Sequence, residues 1–223
     1  MFKTSLLNCR YCTNPCIRKG IRNTIQQYYC KQCCKYQRAA YKNHFVDEID
    51  RKNIVQLNNE GMGIRSIGRY LEMSPANVVR TIIHLQALVS KPVLKNVHQH
   101  YEVDELCTFI GNKTNRIWIA YAYCRATKSV SDFVIGTRSK MTLEPLVNRL
   151  LQSSPNMIYT DKHQTYTTLI PDSIHSTKYR GTNHIERKNL TLRTHLKRLS
   201  RRTICFSKST TMLYACLMIY FFG

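Results

Sequence analysis

Two sets of residues in this sequence have the types and spacing to do chemistry. The first is built on thiols. Cys9 and Cys12 form one C-x-x-C, Cys30 and Cys33 form another, and 17 residues separate the pairs. Paired thiolates at this spacing turn inward on one tetrahedral ion, and a site closed by four sulfurs holds structural rather than catalytic zinc. Cys16 and Cys34 are alternatives for Cys12 or Cys33, or plain packing thiols, and the spacing leaves the choice among the six open. The second set is carboxylates. Asp104 stands inside an apolar run beside Val103 and Leu106, Asp161 ends the stretch "NMIYTD", and Glu186 lies near the start of a basic segment. An unpaired carboxylate in a core strand is costly. Divalent cations, Mg²⁺ or Mn²⁺, bound by such hard oxygens would offset that cost, and a pair of them supports in-line phosphoryl transfer. Taken singly, each acid reads as a surface carboxylate or a salt-bridge partner.

The segment "TNHIERKNLTLRTHLKRLSRRT", 182–203, reads as one helix. Arg187, Lys188, Arg193, Lys197, Arg198, Arg201 and Arg202 surround its single acid, Glu186. At helical spacing Glu186, Asn189, Arg193 and Lys197 share one face, while Ile185, Leu192, Leu196 and Leu199 form the core face. A carboxylate near a helix N-terminus is favoured by the helix dipole. Here it would lie beside cations suited to DNA phosphates. The plainer reading is a solvated basic helix with one salt bridge.

Other elements must position these residues. After residue 100, three β-rich stretches (101–111, 116–124 and 129–136) are joined by short polar turns. A helix over 141–154, a short strand ending at Asp161, an ill-defined connection, a strand over 173–179 and the basic helix follow. Three meandering strands followed by α/β crossovers predict a mixed sheet with helices on its faces, the order of an RNase H-like fold. Before residue 100 the pattern is helical. A helix over 47–60 is followed by "GMGIRSIGRYLEMSPANVVRTIIHLQALV", where Ser74 caps and Pro75 opens a last helix. Two short helices, a tight turn and a capped second helix fit a helix-turn-helix, with Asn77, Arg80, Thr81 and His84 exposed for DNA. Residues 86–100 lose periodicity at Pro92 and read as a linker whose His98 and His100 are solvated. The predicted organisation is a zinc ribbon or knuckle over 1–40, an all-α helix-turn-helix module over 45–90, a linker over 91–100 and an α/β RNase H-like domain over 101–223.

Composition narrows the partner. The 223 residues carry 34 Lys and Arg against 13 Asp and Glu, a formal charge of +21. The excess appears in both halves, so no single basic tail explains it. A polyanion is expected, nucleic acid before an anionic membrane. The apolar run at 212–222 is too short to span a bilayer and reads as a buried terminal helix or strand. No secretory signal is visible, and six cysteines within the first 34 residues of a cytoplasmic chain favour metal over disulfides.

The stretch "HIERKNLTLRTHLKRLSRRTICFSKS", 184–209, closely resembles the end of transposases of the insertion-sequence-one family of small bacterial mobile elements. The resemblance extends through "VDELCTFIG" and "IYTDKHQTY" and back to "NCRYC", "IRKG" and "QYYCKQC", and so covers nearly the whole chain. It implies an Asp-Asp-Glu transposase with Asp104, Asp161 and Glu186 as the metal-binding catalytic triad. It also implies an N-terminal zinc and helix-turn-helix region that binds terminal inverted repeats. Glu105 competes with Asp104 for the first position; the family pattern and strand alternation favour Asp104. In many such elements the two parts are joined by translational frameshifting, whereas here they form one chain. The chain departs from the family pattern at Leu106-Cys107-Thr108, where an aromatic-rich segment is usual, and at Lys162-His163, where Gly-Trp is common.

The expected activity is therefore metal-dependent cleavage of element ends and strand transfer into target DNA, by a dimer or larger assembly in the cytoplasm. Competing readings are a zinc and helix-turn-helix repressor or a catalytically decayed copy, and, more remotely, an RNA-binding protein using Tyr121, Tyr123 and Phe133, whose apolar neighbours point to the core instead.

Overall fold

A computed structural model describes residues 7–39, 46–94, 98–178 and 181–223. The edges of the expected zinc module, residue 45, residues 95–97 of the linker and residue 179 of the expected strand lie outside them. The chain divides into two compact units, Met1–Phe45 and Val46–Gly223.

In the first unit, β1 (Ile17–Arg22), β2 (Ile25–Tyr29) and β3 (Tyr36–Arg38) form an antiparallel sheet in chain order. Its buried centre is Cys9, Cys16 and Cys30, with Cys12, Cys33 and Tyr28 packed against them. Ile17, Ile21 and Ile25 are exposed. The hydrophobic effect therefore contributes little, and the thiols are the core.

The second unit opens with α1 (Glu48–Asn59), α2 (Ile64–Tyr70) and α3 (Pro75–Leu88). Asp47 caps α1 by accepting from the Asp50 amide, and Ser74 caps α3 by accepting from the Asn77 amide. Both satisfy N–H groups that a helix start leaves orphaned. Ile54, Ile67, Val78 and Ile82 face one another in a helical core. Arg80 and His84 are exposed on α3, but Thr81 is buried among the apolar residues and is not on the outward face the sequence suggested.

The sheet follows: β4 (His100–Phe109), β5 (Arg116–Cys124) and β6 (Ser129–Gly136) run antiparallel. After α4 (Lys140–Gln152), β7 (Met157–Tyr159) joins the free edge of β4 in parallel, and the two-residue β8 (His175–Ser176) joins β7. The order is β6-β5-β4-β7-β8. A short helix, α5 (Gln164–Leu169), fills the connection the sequence left undefined. Alternation along the strands sorts the two faces. Tyr101, Val103, Ala120 and Ala122 pack with α4 and α5. Leu106, Ile119, Tyr121 and Phe133 pack with α6 (Asn183–His195) and α7 (Thr210–Phe222). Tyr121, Tyr123 and Phe133 are thus core residues. A mixed five-stranded sheet covered by helices on both faces fits an RNase H-like domain.

The basic segment is not one helix. α6 stops at His195, and a 3₁₀ turn, Lys197–Leu199, follows. The break lets both Leu196 and Leu199 reach the core, where each is almost fully buried. Arg193 donates through Nη1 to the Leu199 carbonyl and Ser200 Oγ donates to the Arg193 carbonyl, satisfying groups freed at the helix end. α7 is apolar all round because it serves two cores. Leu213, Leu217 and Met218 face the sheet, while Met212, Ala215, Cys216 and Ile219 face α1–α3. Among the described residues no helix is long and apolar enough to cross a membrane.

Candidate active site

β4 is paired with β7 only as far as Glu102 opposite Tyr159. Beyond that point β4 stays paired with β5 but its β7-side edge is open, and the chain leaving β7 carries Asp161 toward that edge. Carboxylate oxygens of Asp104, Glu105 and Asp161 consequently lie within 4.8 Å of one another. Asp104 is half-buried and faces α6, where Asn189 Nδ2 donates to its Oδ2 at 2.7 Å. Burial pushes its carboxyl up to about 6, and the charges of Glu105 and Asp161 add to that push, while the Glu105 amide and Asn189 pull the other way. A carboxylate that resists ionising because it is buried and has carboxylate neighbours would be stabilised in its charged form by a cation. The oxygens of Asp104 and Asp161, brought together here, are hard donors that fit a divalent cation.

Glu105 faces the opposite side and is buried. The Tyr166 hydroxyl on α5 donates to its Oε1 at 2.7 Å and Arg138 Nη2 to its Oε2 at 3.1 Å. The same Arg138 nitrogen reaches Asp161 Oδ2 at 3.3 Å, and the His163 amide donates to Asp161 Oδ1. The departure at Lys162-His163 thus supports Asp161 through the backbone. At the other departure Leu106 is buried in the core, and Thr108 Oγ1 donates to the Arg198 carbonyl.

Glu186 is exposed on the first turn of α6 and is not within that close carboxylate group. It lines a cleft of roughly 410 Å³ together with Thr160, Asp161, Lys162, Lys178 and Asn183. Thr182 Oγ1 donates to its Oε1 at 2.9 Å. Its helix is fixed by Glu102, which is fully buried. Glu102 Oε1 lies 2.6 Å from both Arg125 Nε and His184 Nδ1, and its Oε2 accepts from the Ile185 amide. A single carboxylate therefore ties the strand carrying Asp104 to the helix carrying Glu186.

A family model described as IS1 transposase matches residues 99–221, more than half of the chain and the whole of this site. The chain belongs to the IS1 transposase family. The insertion element iso-IS1n protein InsB of Shigella dysenteriae is 40% identical over 108 residues, 48% of this chain and 82% of that one. The IS1 protein InsB of Shigella flexneri is 37% identical over 111 residues, 50% of this chain and 85% of that one. The IS1 2 protein InsB of Escherichia coli strain K12 is 38% identical over 108 residues, 48% and 65% of the two chains.

The remaining residues singled out in this IS1-family sequence divide by exposure. Arg187, Lys197, Arg201 and Arg202 are exposed, and Lys188 and Arg193 are half-buried. Arg198 is buried, with Nη1 donating to Ser207 Oγ at 3.0 Å, so it is a core residue and not on the DNA-facing surface the sequence suggested. The sulfurs of Cys9, Cys12, Cys30 and Cys33 lie within 4.8 Å of one another, whereas Cys34 is exposed and Cys16 is buried beside the cluster. Although burial raises it, the Cys9 thiol is drawn down to about 6 by the Tyr11 and Cys12 amides. Burial and neighbouring thiols push Cys33 up to about 12. Four sulfurs brought this close, one of them held protonated by burial and its neighbours, fit a zinc ion.

Sequence reasoning missed Glu102, Arg125, Arg138 and Tyr166. The first two strand acids alternating with Val103 were a signal. Arg138, alone in a polar turn, gave none.

Proposed function

We propose that this chain is an Asp-Asp-Glu transposase that binds the terminal inverted repeats of its element, cuts the strand at the element end and joins the 3′ hydroxyl to target DNA. The observation that carries the reading is the close approach of Asp104 and Asp161, in a domain of transposase family, at the open edge beside the cleft that Glu186 lines. Asp104, Asp161 and Glu186 would hold one or two Mg²⁺ or Mn²⁺ ions, which when bound activate the attacking hydroxyl and stabilise the leaving oxygen. Asn189 orients Asp104, and Glu102 fixes α6 so that Glu186 stays on the cleft. Arg187, Lys197, Arg201 and Arg202 bind backbone phosphates, helped by Lys188 and Arg193. α2 and α3 act as a helix-turn-helix, with Arg80 and His84 facing the duplex. The thiolate cluster binds structural zinc and steadies a second DNA contact. Two element ends have to be held together, so the working form is a dimer or larger assembly on double-stranded DNA.

The test is cleavage of a labelled duplex bearing the element's own terminal repeat, with Mg²⁺ or Mn²⁺. Nicking at the repeat end, lost in Asp104→Asn and Glu186→Gln while DNA binding survives, is the expected result. Sequence-specific binding by folded wild type without any cleavage would replace this reading with that of a repressor or a decayed copy.

A further inference from the structure

Arg138 lies in the polar turn between β6 and α4, and its guanidinium touches the carboxylate cluster. Three contacts hold it. Glu105 Oε2 accepts from Nη2, and Glu105 is itself fixed by the Tyr166 hydroxyl. The guanidinium also lies 4.7 Å over the Trp118 ring, a favourable place for a planar cation. The third contact is different in kind. Asp161 is exposed, and its Oδ2, the oxygen not used by the His163 amide, is taken by Arg138. Nε is buried and has no partner. A guanidinium has five N–H groups in a rigid fork matched to carboxylate or phosphate. In this one, a single nitrogen carries both bonds to carboxylates.

We infer that Arg138 is a ligand for the phosphodiester being cut, and that its bond to Asp161 is exchanged for a divalent cation when one binds. This rests on the reading of Asp104 and Asp161 as metal ligands. Asp161 Oδ2 cannot serve a divalent cation and Arg138 together without crowding two cations on one oxygen. Glu105 is the reason Arg138 need not leave when Asp161 is given up. Its buried carboxylate retains the guanidinium beside the carboxylate cluster, with the N–H that had bonded Asp161 set free. The ligand class is a phosphodiester oxygen, which suits a charged planar donor. The exchange would balance the negative charge of the cluster, and would present the arginine to DNA only when a cation engages the carboxylates.

Two opposite signs follow for one substitution, and both are read on the full-length protein. Without DNA, Arg138→Gln frees Asp161, so Mn²⁺ affinity followed by electron paramagnetic resonance rises about tenfold. With DNA and saturating Mn²⁺, the same variant cleaves about a hundredfold more slowly, since a donor to the reacting phosphate is gone. Arg138→Lys keeps the charge and holds Mn²⁺ as wild type does, yet cleaves at least about tenfold more slowly because a compact ammonium lacks the fork. That variant carries the test if Arg138→Gln does not fold. Unchanged Mn²⁺ affinity in Arg138→Gln would overturn the exchange. Tighter Mn²⁺ with normal cleavage, or wild-type cleavage by Arg138→Lys, would overturn the phosphate role and leave Arg138 a counter-ion. Undiminished Mn²⁺ binding in Asp104→Asn would instead sink the metal reading beneath it.

Discussion

Asn189 on α6 donates to Asp104 on β4 across 2.7 Å, and it can do so in only one orientation. An ionised Asp104 only accepts, so the amide nitrogen faces it and leaves Oδ1 toward the Tyr121 hydroxyl, 2.9 Å away. Tyr121 is fully buried, and its one proton is shared between Asn189 Oδ1 and the Ile185 carbonyl, which lies 3.2 Å away. Asn189→Ala should therefore lower metal affinity and cleavage by about ten- to a hundredfold, as loss of a partner behind a metal ligand does, with DNA affinity nearly unchanged. Tyr121→Phe should show a weaker version of the same defect. Equal cleavage by Asn189→Ala and wild type at limiting Mg²⁺ would refute this.

The raised Asp104 carboxyl has a consequence for stability. An acid whose folded value, about 6, lies above its unfolded one favours the folded state below both values. That contribution is lost as pH rises from about 4 to about 6. Metal-free Asp104→Asn should therefore be more stable than wild type at pH 7, by on the order of 2 kcal/mol, while cleaving nothing. Urea melts of both proteins at pH 4 and pH 7 measure this. A mutant no more stable at pH 7 would show that Asp104 carries no such burden.

The first unit should stand or fall with its metal. Among the described residues its buried centre is thiols with Tyr28 packed against them, too little apolar surface to replace the ion. One zinc per chain is expected by elemental analysis. Cys30→Ser or a strong chelator should collapse the β1–β3 sheet, seen as lost amide protection there, with the melting of residues 46–223 little changed. A zinc-free first unit that keeps its protection would contradict this.

Gly61 offers a sharp stability test. Its φ of +71° is left-handed, and a Cβ there would meet the His195 carbonyl oxygen at 1.9 Å. Both partners are backbone, so neither can swing aside. Gly61→Ala should cost about 3 kcal/mol or more in denaturant melts. A loss below about 1 kcal/mol would mean that α1 and α6 separate easily at this point.

The sequence made most of this architecture legible where one signal dominated. β5 and β6 fall on the predicted segments because β-rich runs were bounded by polar turns. Ser74 and Pro75 announced α3 because cap chemistry is local. The break after His195 was not legible. No Gly or Pro marks it; beside the local bonds of Arg193 and Ser200, it depends on the burial of Leu196 and Leu199 and on Thr108, far back in the chain, which donates to the Arg198 carbonyl. Helical propensity was overridden there by packing. The short helix α5 was hidden for a similar reason: its Thr-rich sequence favours strand, and Tyr166 is drawn to Glu105. In the candidate site, Asp104 and Asp161 stood out as acids in apolar strands. Arg138 could not, because only the fold brings its turn to them.

The double-faced α7 also bears on how the protein is made. It is the last element in chain order, and it completes both the core of α1–α3 and that of the sheet. Until a ribosome has extended the chain through α7, neither core is complete. The contacts of α7 with α1 must then span most of the length between them, a slow closure by any ordering of steps. A product interrupted before residue 210 would leave two apolar faces bare and join the aggregation-prone species that such surfaces create, instead of persisting as a free-standing helical module. Synthesis therefore delivers the helical bundle and the sheet domain together.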